Sequence, residues 1–431
     1  CAFLFFGMSA PAARAATHSS LIPESLIYLD CDDPPNYALV VEKKSQTICV
    51  YERNGGYRLR YRFACSTGEA GGKKKRPGDR KTPEGVYFFT KAVEKRYLSS
   101  TYGNRAFVMD YPNELDHMEG RGGDSIWLHG TNKALKPRDT NGCVAVENGN
   151  IDILARYIRL NHTPIIIKEE LHMVPPEVHA SRAESLRAFL EEWKGAFIAG
   201  DRDRYALFYM NAPLHLDNLW ETWEPIRREW DQIRVPFEIQ LKDIAIARAN
   251  PCVVALLDQS IRLGDHAATV GRKKLFLEYV EDEWKIVAQT YQGTKPAGEI
   301  KDPLIASLQR LERLRRAHRD VAERVAEWAK AWSAKDIDAY RACYSKGFQA
   351  RGMNLPSWIR YKEGLNKRYD FINVSVEDLR IEKNGKWRTA TFVQRYESSG
   401  HESVGAKRLR LEYADGEWKI DREKWLGTIN R

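Results

Sequence analysis

The chain has 431 residues, of which 43% are hydrophobic and 29% charged, and a formal net charge of +9. That length exceeds one ordinary core and calls for two or three domains, while the composition excludes a long disordered tract. Twelve Trp and twenty Tyr suit cores and pocket walls, and positive charge alone does not make a nucleic-acid binder, so none is expected.

Residues 1–15 read as the remnant of a secretory signal peptide. Cys1 to Met8 is apolar, and Ala13-Arg14-Ala15 fits a small-x-small cleavage site. The apolar run falls well short of the roughly 20 residues that span a bilayer, and no later segment replaces it. An exported protein of the periplasm or cell envelope, without a stable membrane span, is the expectation. Beyond Cys1, the cysteines at 31, 49, 65, 143, 252 and 343 form no CxxC pair. Most are expected to be buried free thiols, with a bridge among Cys31, Cys49 and Cys65 left open.

Residues 36–168 are strand-like. Tyr37–Val41, Thr47–Tyr51, Leu59–Phe63, Gly85–Phe89 and Ser125–Leu128 are short apolar or alternating runs separated by turns such as Asn54-Gly55-Gly56. The basic run Lys73-Lys74-Lys75-Arg76 reads as a solvated loop or as a site of attraction to a cell-wall polyanion. Apolar spacing predicts a helix over 150–158, and Pro175-Pro176 reads as a linker.

The remainder repeats itself. Trp193, Asp201, Tyr205, Tyr209 and Trp223 recur 135 positions later as Trp328, Asp336, Tyr340, Tyr344 and Trp358. Glu283-Trp284-Lys285-Ile286 recurs 134 positions later as Glu417-Trp418-Lys419-Ile420. Each copy opens with an amphipathic helix and closes with alternating strands, so two α+β domains of one fold are expected, at 182–293 and 317–429. The charged segment 301–319 reads as a linker running into the second copy's first helix. The copies resemble the nuclear-transport-factor-like, or ketosteroid-isomerase-like, cone, in which helices pack on a curved antiparallel sheet. Isomerase-like chemistry there would need a pocket carboxylate, for which Glu221, Glu238 and Asp370 are candidates. A module that binds protein partners is the simpler expectation.

The chemistry concentrates earlier. Ser125-Ile126-Trp127-Leu128-His129-Gly130-Thr131 ends on a histidine, and Thr140-Asn141-Gly142-Cys143-Val144-Ala145-Val146 places a cysteine fourteen positions after it. Strand alternation puts Trp127 and His129 on one face and Ile126 and Leu128 on the other. A free thiol is mostly protonated at neutral pH, so a nucleophilic cysteine needs an adjacent base, which His129 supplies. Peptide N–H groups at Gly142 and Cys143 are candidate oxyanion donors. No His/Cys/Asp/Glu group has metal-ligand spacing, so neither metal nor cofactor is expected.

His-Gly, a short loop and Thr-x-Gly-Cys, with Ser66-Thr67-Gly68 and Gly78-Asp79-Arg80-Lys81-Thr82-Pro83-Glu84-Gly85 upstream, resemble the L,D-transpeptidase (YkuD-type) catalytic domain. The resemblance covers 36–168. It implies a peptidoglycan enzyme in which Cys143 forms a thioacyl intermediate on a stem tetrapeptide and expels the terminal D-alanine. It also implies His129 as base and the Gly130 carbonyl as its orienting group. The intermediate passes to water (L,D-carboxypeptidase) or to an amine (L,D-transpeptidase cross-linking or protein attachment). The chain departs from the family where it has Ala145 instead of an arginine that holds a substrate carboxylate, and Asn141 instead of His or Arg. Arg138 and Arg121 are candidate replacements, with Asn141 and Thr140 as further substrate-binding candidates. The combination also resembles the L,D-carboxypeptidases that set cell shape in curved bacteria, although here there are two cones. A catalytically inert wall-binding or assembly protein is the alternative. The expected architecture is multidomain: a β-rich catalytic domain followed by two cones.

Overall fold

The computed structural model describes residues 21–30, 36–211, 216–232, 236–249, 251–264, 266–293 and 302–429. Residues 1–15, expected above to be a signal remnant and including Cys1, and Cys31 lie outside them. The chain forms two compact units, 1–308 and 309–431.

The first unit is built on an eight-stranded mixed sheet. Its strands are β1 (Tyr37–Glu42), β2 (Thr47–Asn54), β3 (Gly56–Ala64), β4 (Gly85–Glu94), β5 (Arg105–Met109), β6 (Trp127–Thr131), β7 (Val144–Glu147) and β8 (Pro164–Lys168). Their spatial order is β3-β2-β1-β8-β4-β5-β6-β7. Two neighbouring pairs, β8 with β1 and β6 with β7, run parallel. The near-continuous apolar runs of β1 and β8 are explained by burial on both faces. One face packs on the helix Asn148–Leu154 through Leu39, Phe107, Leu128, Val144, Ile151 and Leu154. The helix begins two residues before the predicted 150–158 segment and tightens into a 3₁₀ turn at Ala155–Tyr157.

The other face of this sheet is covered by the first cone. Ala38, Val40, Val86, Phe88 and Ile166 share a core with Ala245, Val254, Leu256 and Phe276 of a second, five-stranded sheet. That sheet runs Glu283–Tyr291, His266–Val280, Val253–Leu263, Phe237–Arg248 and, at its edge, Leu26–Leu29 from the start of the chain. The edge strand pairs Leu29 with Ala245 and Tyr28 with Ile246. Catalytic domain and first cone are therefore one packed body.

Pro175-Pro176 is not a linker. Pro176 occupies the first turn of the helix Pro176–Ala199, where its fixed φ suits the helix and its missing N–H costs nothing. The segment 301–319 is likewise mostly helical, as part of Pro303–Ser333.

The second unit has a six-stranded sheet whose antiparallel part is Ile372–Asn384, Trp387–Ser398, His401–Ala414 and Glu417–Thr428. The repeated residues perform matching tasks in both copies. Asp201 and Asp336 cap short helices by accepting the backbone N–H of Arg204 and Ala339. Trp193 Nε1 donates to Tyr209 Oη at 3.2 Å, and Trp328 Nε1 donates to Tyr344 Oη at 2.7 Å. The carboxylates Glu221, Glu238 and Asp370 are all exposed rather than directed into a pocket.

Candidate active site

The site is assembled by the parallel pairing of β6 and β7. His129 lies directly beside Ala145 in this register. Cys143 precedes Ala145 by two residues and so faces the same side of the sheet as His129. Leu128 and Val144, on the opposite side, are fully buried and anchor both strands. His129 and Cys143 line one cavity of about 290 Å³ with Ser66, Tyr102, Lys133, Asp139, Thr140 and Asn141.

The imidazole is fixed from behind. His129 Nδ1 lies 2.6 Å from the Gly130 carbonyl oxygen. A carbonyl can only accept, so Nδ1 carries the proton and Nε2 is left as an acceptor. A Cβ at 130 would lie 2.4 Å from Asn148 Oδ1 and 3.0 Å from Ile151 Cγ2, so any larger residue must displace the Asn148 side chain. The Tyr102 ring packs edge-on against His129, with centroids 4.8 Å apart, and closes the other side.

The thiol is held by the turn that precedes β7. Thr140 Oγ1 donates to the Cys143 carbonyl at 2.7 Å. Gly142 has φ +127°, and a Cβ there would meet the Lys81 carbonyl at 2.8 Å, so this position needs glycine. The Cys143 thiol donates to the Ser125 carbonyl at 3.5 Å. Ser66-Thr67-Gly68 holds the connecting loop: Ser66 Oγ accepts the Asp139 N–H at 2.9 Å and the Thr67 carbonyl accepts the Thr140 N–H at 3.1 Å.

Burial governs the resting charges. It pushes the His129 pKa below its ordinary value, opposed by the Gly130 hydrogen bond. It pushes the Cys143 thiol up, opposed by the Trp127 backbone and the Lys74 charge. The resting pair is therefore a neutral thiol beside a neutral imidazole, an arrangement suited to general-base activation.

Not every expected site residue faces the cavity in a free state. The Gly142 N–H is already donated to Thr140 Oγ1 at 3.1 Å, which removes it as a ready oxyanion donor. Arg138 pairs with Glu169 at 3.0 Å, and Arg121 pairs with Asp116 and Glu119, both at 2.9 Å. Neither arginine lines the cavity, whose cationic walls are Lys133 and Lys136. Tyr102 and Lys74 are the contributors that sequence reasoning missed. Tyr102 carried no signal, and Lys74 was hidden in a run that reads as solvated.

Residues 36–167 match the family model of the L,D-transpeptidase catalytic domain, YkuD. This part of the chain is an L,D-transpeptidase-type catalytic domain. Residues 320–424 match the model of the Cds6 C-terminal NTF2-like domain. Among solved structures, the chain is similar to Bd1075 from Bdellovibrio bacteriovorus, at 22% identity over 96% of this chain and 100% of that one, with a TM-score of 0.36. It is also similar to the helical cell shape determining protein Pgp2 from Campylobacter jejuni, at 24% identity over 62% of this chain and 94% of that one, with a TM-score of 0.48. No curated protein matches the chain. Members of the L,D-transpeptidase family act on the cell wall, and no helix among the described residues is long and apolar enough to cross a membrane.

Away from the transpeptidase-type cleft, His162, Asp243 and Asp258 gather within 4.8 Å, although nothing in their spacing announces it. Arg159 pairs with Asp243 at 2.9 Å and Arg272 with Asp258 at 2.6 Å, so the carboxylates already have cations. Burial and these two arginines push His162 down to about 4. The cluster ties the catalytic domain to the first cone.

Proposed function

We propose that this chain is a peptidoglycan-modifying cysteine enzyme of the cell envelope that acts on stem tetrapeptides. One observation carries the reading: His129 and Cys143 face one cavity from adjacent parallel strands, with the imidazole oriented by Gly130. In the acylation step, the Cys143 sulfur bonds to the carbonyl carbon of the residue before the terminal D-alanine. Its proton passes to His129 Nε2. The tetrahedral oxyanion takes the Cys143 N–H as donor. The C–N bond then breaks, and His129 returns the proton to the departing D-alanine amine. Water or an amine next adds to the thioester, His129 takes its proton, and the C–S bond breaks to restore the thiol.

Hydrolysis is the favoured fate. Position 145, where many transpeptidases place a carboxylate-binding arginine, is a buried alanine whose backbone is paired with Ser66 at 2.8 Å in both directions. The test is to incubate the protein and Cys143→Ala with tetrapeptide muropeptides and record masses. Loss of one alanine from the wild type alone supports carboxypeptidase action, and a cross-linked dimer supports transpeptidation. Identical products from both proteins would overturn the mechanism and favour an inert wall-binding protein.

A further inference from the structure

The basic run 73–76 does not lie wholly in solvent. Lys73, Lys75 and Arg76 are exposed, whereas Lys74 retains 3% of its surface. Its ammonium donates to Asp79 Oδ1 at 2.7 Å and to the Arg76 carbonyl at 3.2 Å. Asp79 also accepts the backbone N–H groups of Lys75 at 2.8 Å and of Arg76 and Lys81 at 3.2 Å. Burial alone would raise the Asp79 carboxyl, but Lys74 and these three N–H groups hold it well below the usual carboxylate range. Asp79 is thus a fixed anchor, and Lys74 is fixed with it.

This anchored cation sits behind the cysteine. The Lys74 stem runs under Gly123, where a Cβ would lie 3.0 Å from Lys74 Cε. Two residues on, the Ser125 carbonyl receives the Cys143 thiol. From the other side, the Lys81 carbonyl closes on Gly142. The turn around Asp79 therefore backs the cysteine, and the Lys74 charge acts on the sulfur. Burying an ammonium carries a desolvation cost that a solvated bridge to the same aspartate would avoid.

We propose that Lys74, held by Asp79, is a positioning residue for acyl transfer whose ammonium stabilises negative charge on the Cys143 sulfur as its proton leaves for His129. The proposal rests on the reading of Cys143 as nucleophile. The other ionisable groups around the sulfur are His129 and Tyr102 beside it, Asp79 and Lys81 in the turn behind it, Asp124 next to Ser125, and Glu69, Lys133, Lys136 and Asp139 along the cavity.

The experiment follows alkylation of Cys143 by iodoacetamide between pH 6 and 10, with the modified peptide identified by mass. The full chain is compared with Lys74→Met, Lys74→Arg and the double variant Lys74→Met/Asp79→Asn. The double variant keeps the test alive if the single one leaves Asp79 unpaired and fails to fold. Removing a cation near a thiol moves its titration by about one pH unit, a tenfold change in rate at fixed pH on the acid limb. Lys74→Met and the double variant should both show this shift to higher pH, and Lys74→Arg should restore most of the wild-type limb. Wild-type alkylation with an unmoved limb in the folded charge-removing variants would overturn the role of Lys74 alone. A wild-type Cys143 that resists alkylation throughout would overturn the nucleophile reading itself.

Discussion

In the catalytic cleft, two neutral groups of complementary function, a thiol and an imidazole, are held on one face with a cavity before them. In the second cone, Lys362, Lys407 and Glu423 are buried along a cavity of about 530 Å³, but they are arranged as two amines around one carboxylate. Lys407 pairs with Glu423 and donates to Gln394 at 2.9 Å, while Tyr344 donates to Glu423 at 2.8 Å. The Lys362 ammonium lies 3.3 Å from the centroid of the Trp332 ring and 4.8 Å from that of Trp358. Burial would raise Glu423, but Lys407 and Lys362 hold it below its ordinary value. Burial of ionisable groups is thus common to both regions. What sets the cleft apart is a thiol that shares its cavity with an imidazole whose free nitrogen has been selected by the protein.

The widest separation between the regions should come from His129→Gln, which keeps the shape and removes the base. We expect kcat/KM on tetrapeptides to fall about 10³-fold with little change in thermal unfolding. Because His129 is held below its ordinary pKa, the acid limb of the wild-type profile should lie below pH 6.5. A limb above pH 7 would contradict the neutral resting pair.

Glu423→Gln should be the next largest effect and should appear in stability. It leaves Lys407 and Lys362 buried without their carboxylate, at a cost of about 3 kcal/mol in urea unfolding of the second unit. A loss too small to measure would mean that Glu423 does not offset the buried lysines.

Lys362→Met should act least, and in the opposite direction. Burial pushes the folded Lys362 pKa well below its ordinary value, so the unfolded chain binds the extra proton in the interval between the two pKa values. Wild-type stability therefore rises with pH through that interval. The methionine variant, free of this proton, should be more stable by about 1 kcal/mol at pH 7, with the difference shrinking as pH rises towards the ordinary lysine pKa and levelling off above it. A destabilised variant at pH 7 would show that the aromatic contacts outweigh desolvation.

Much of the architecture was legible locally. Five strands between Tyr37 and Leu128 followed from apolar or alternating runs, although Arg105–Met109 was not among them, and the repeat showed itself because Asp201 and Asp336 must cap helices while the Trp–Tyr pairs must fill equivalent cores. His129 and Cys143 were legible from residue type and spacing. Other features had no local trace. Leu26–Leu29 joins a sheet whose partner strand begins at Phe237, and nothing in four apolar residues names so distant a neighbour. Pro175-Pro176 misled because proline both breaks helices and starts them. Arg138 and Arg121 suited a substrate carboxylate by charge, yet Glu169, Asp116 and Glu119 had already claimed them.

The order of residues by itself determined the chemistry on offer: one thiol, one imidazole, glycines where two backbones must approach closely, and two copies of a helix-and-strand pattern. Tertiary structure alone decided which charges left water. Lys73 and Lys74 are adjacent and chemically identical, but one is solvated and the other sits behind a cysteine. Burial depends on the elements that fold over a side chain, and those come from distant parts of the sequence.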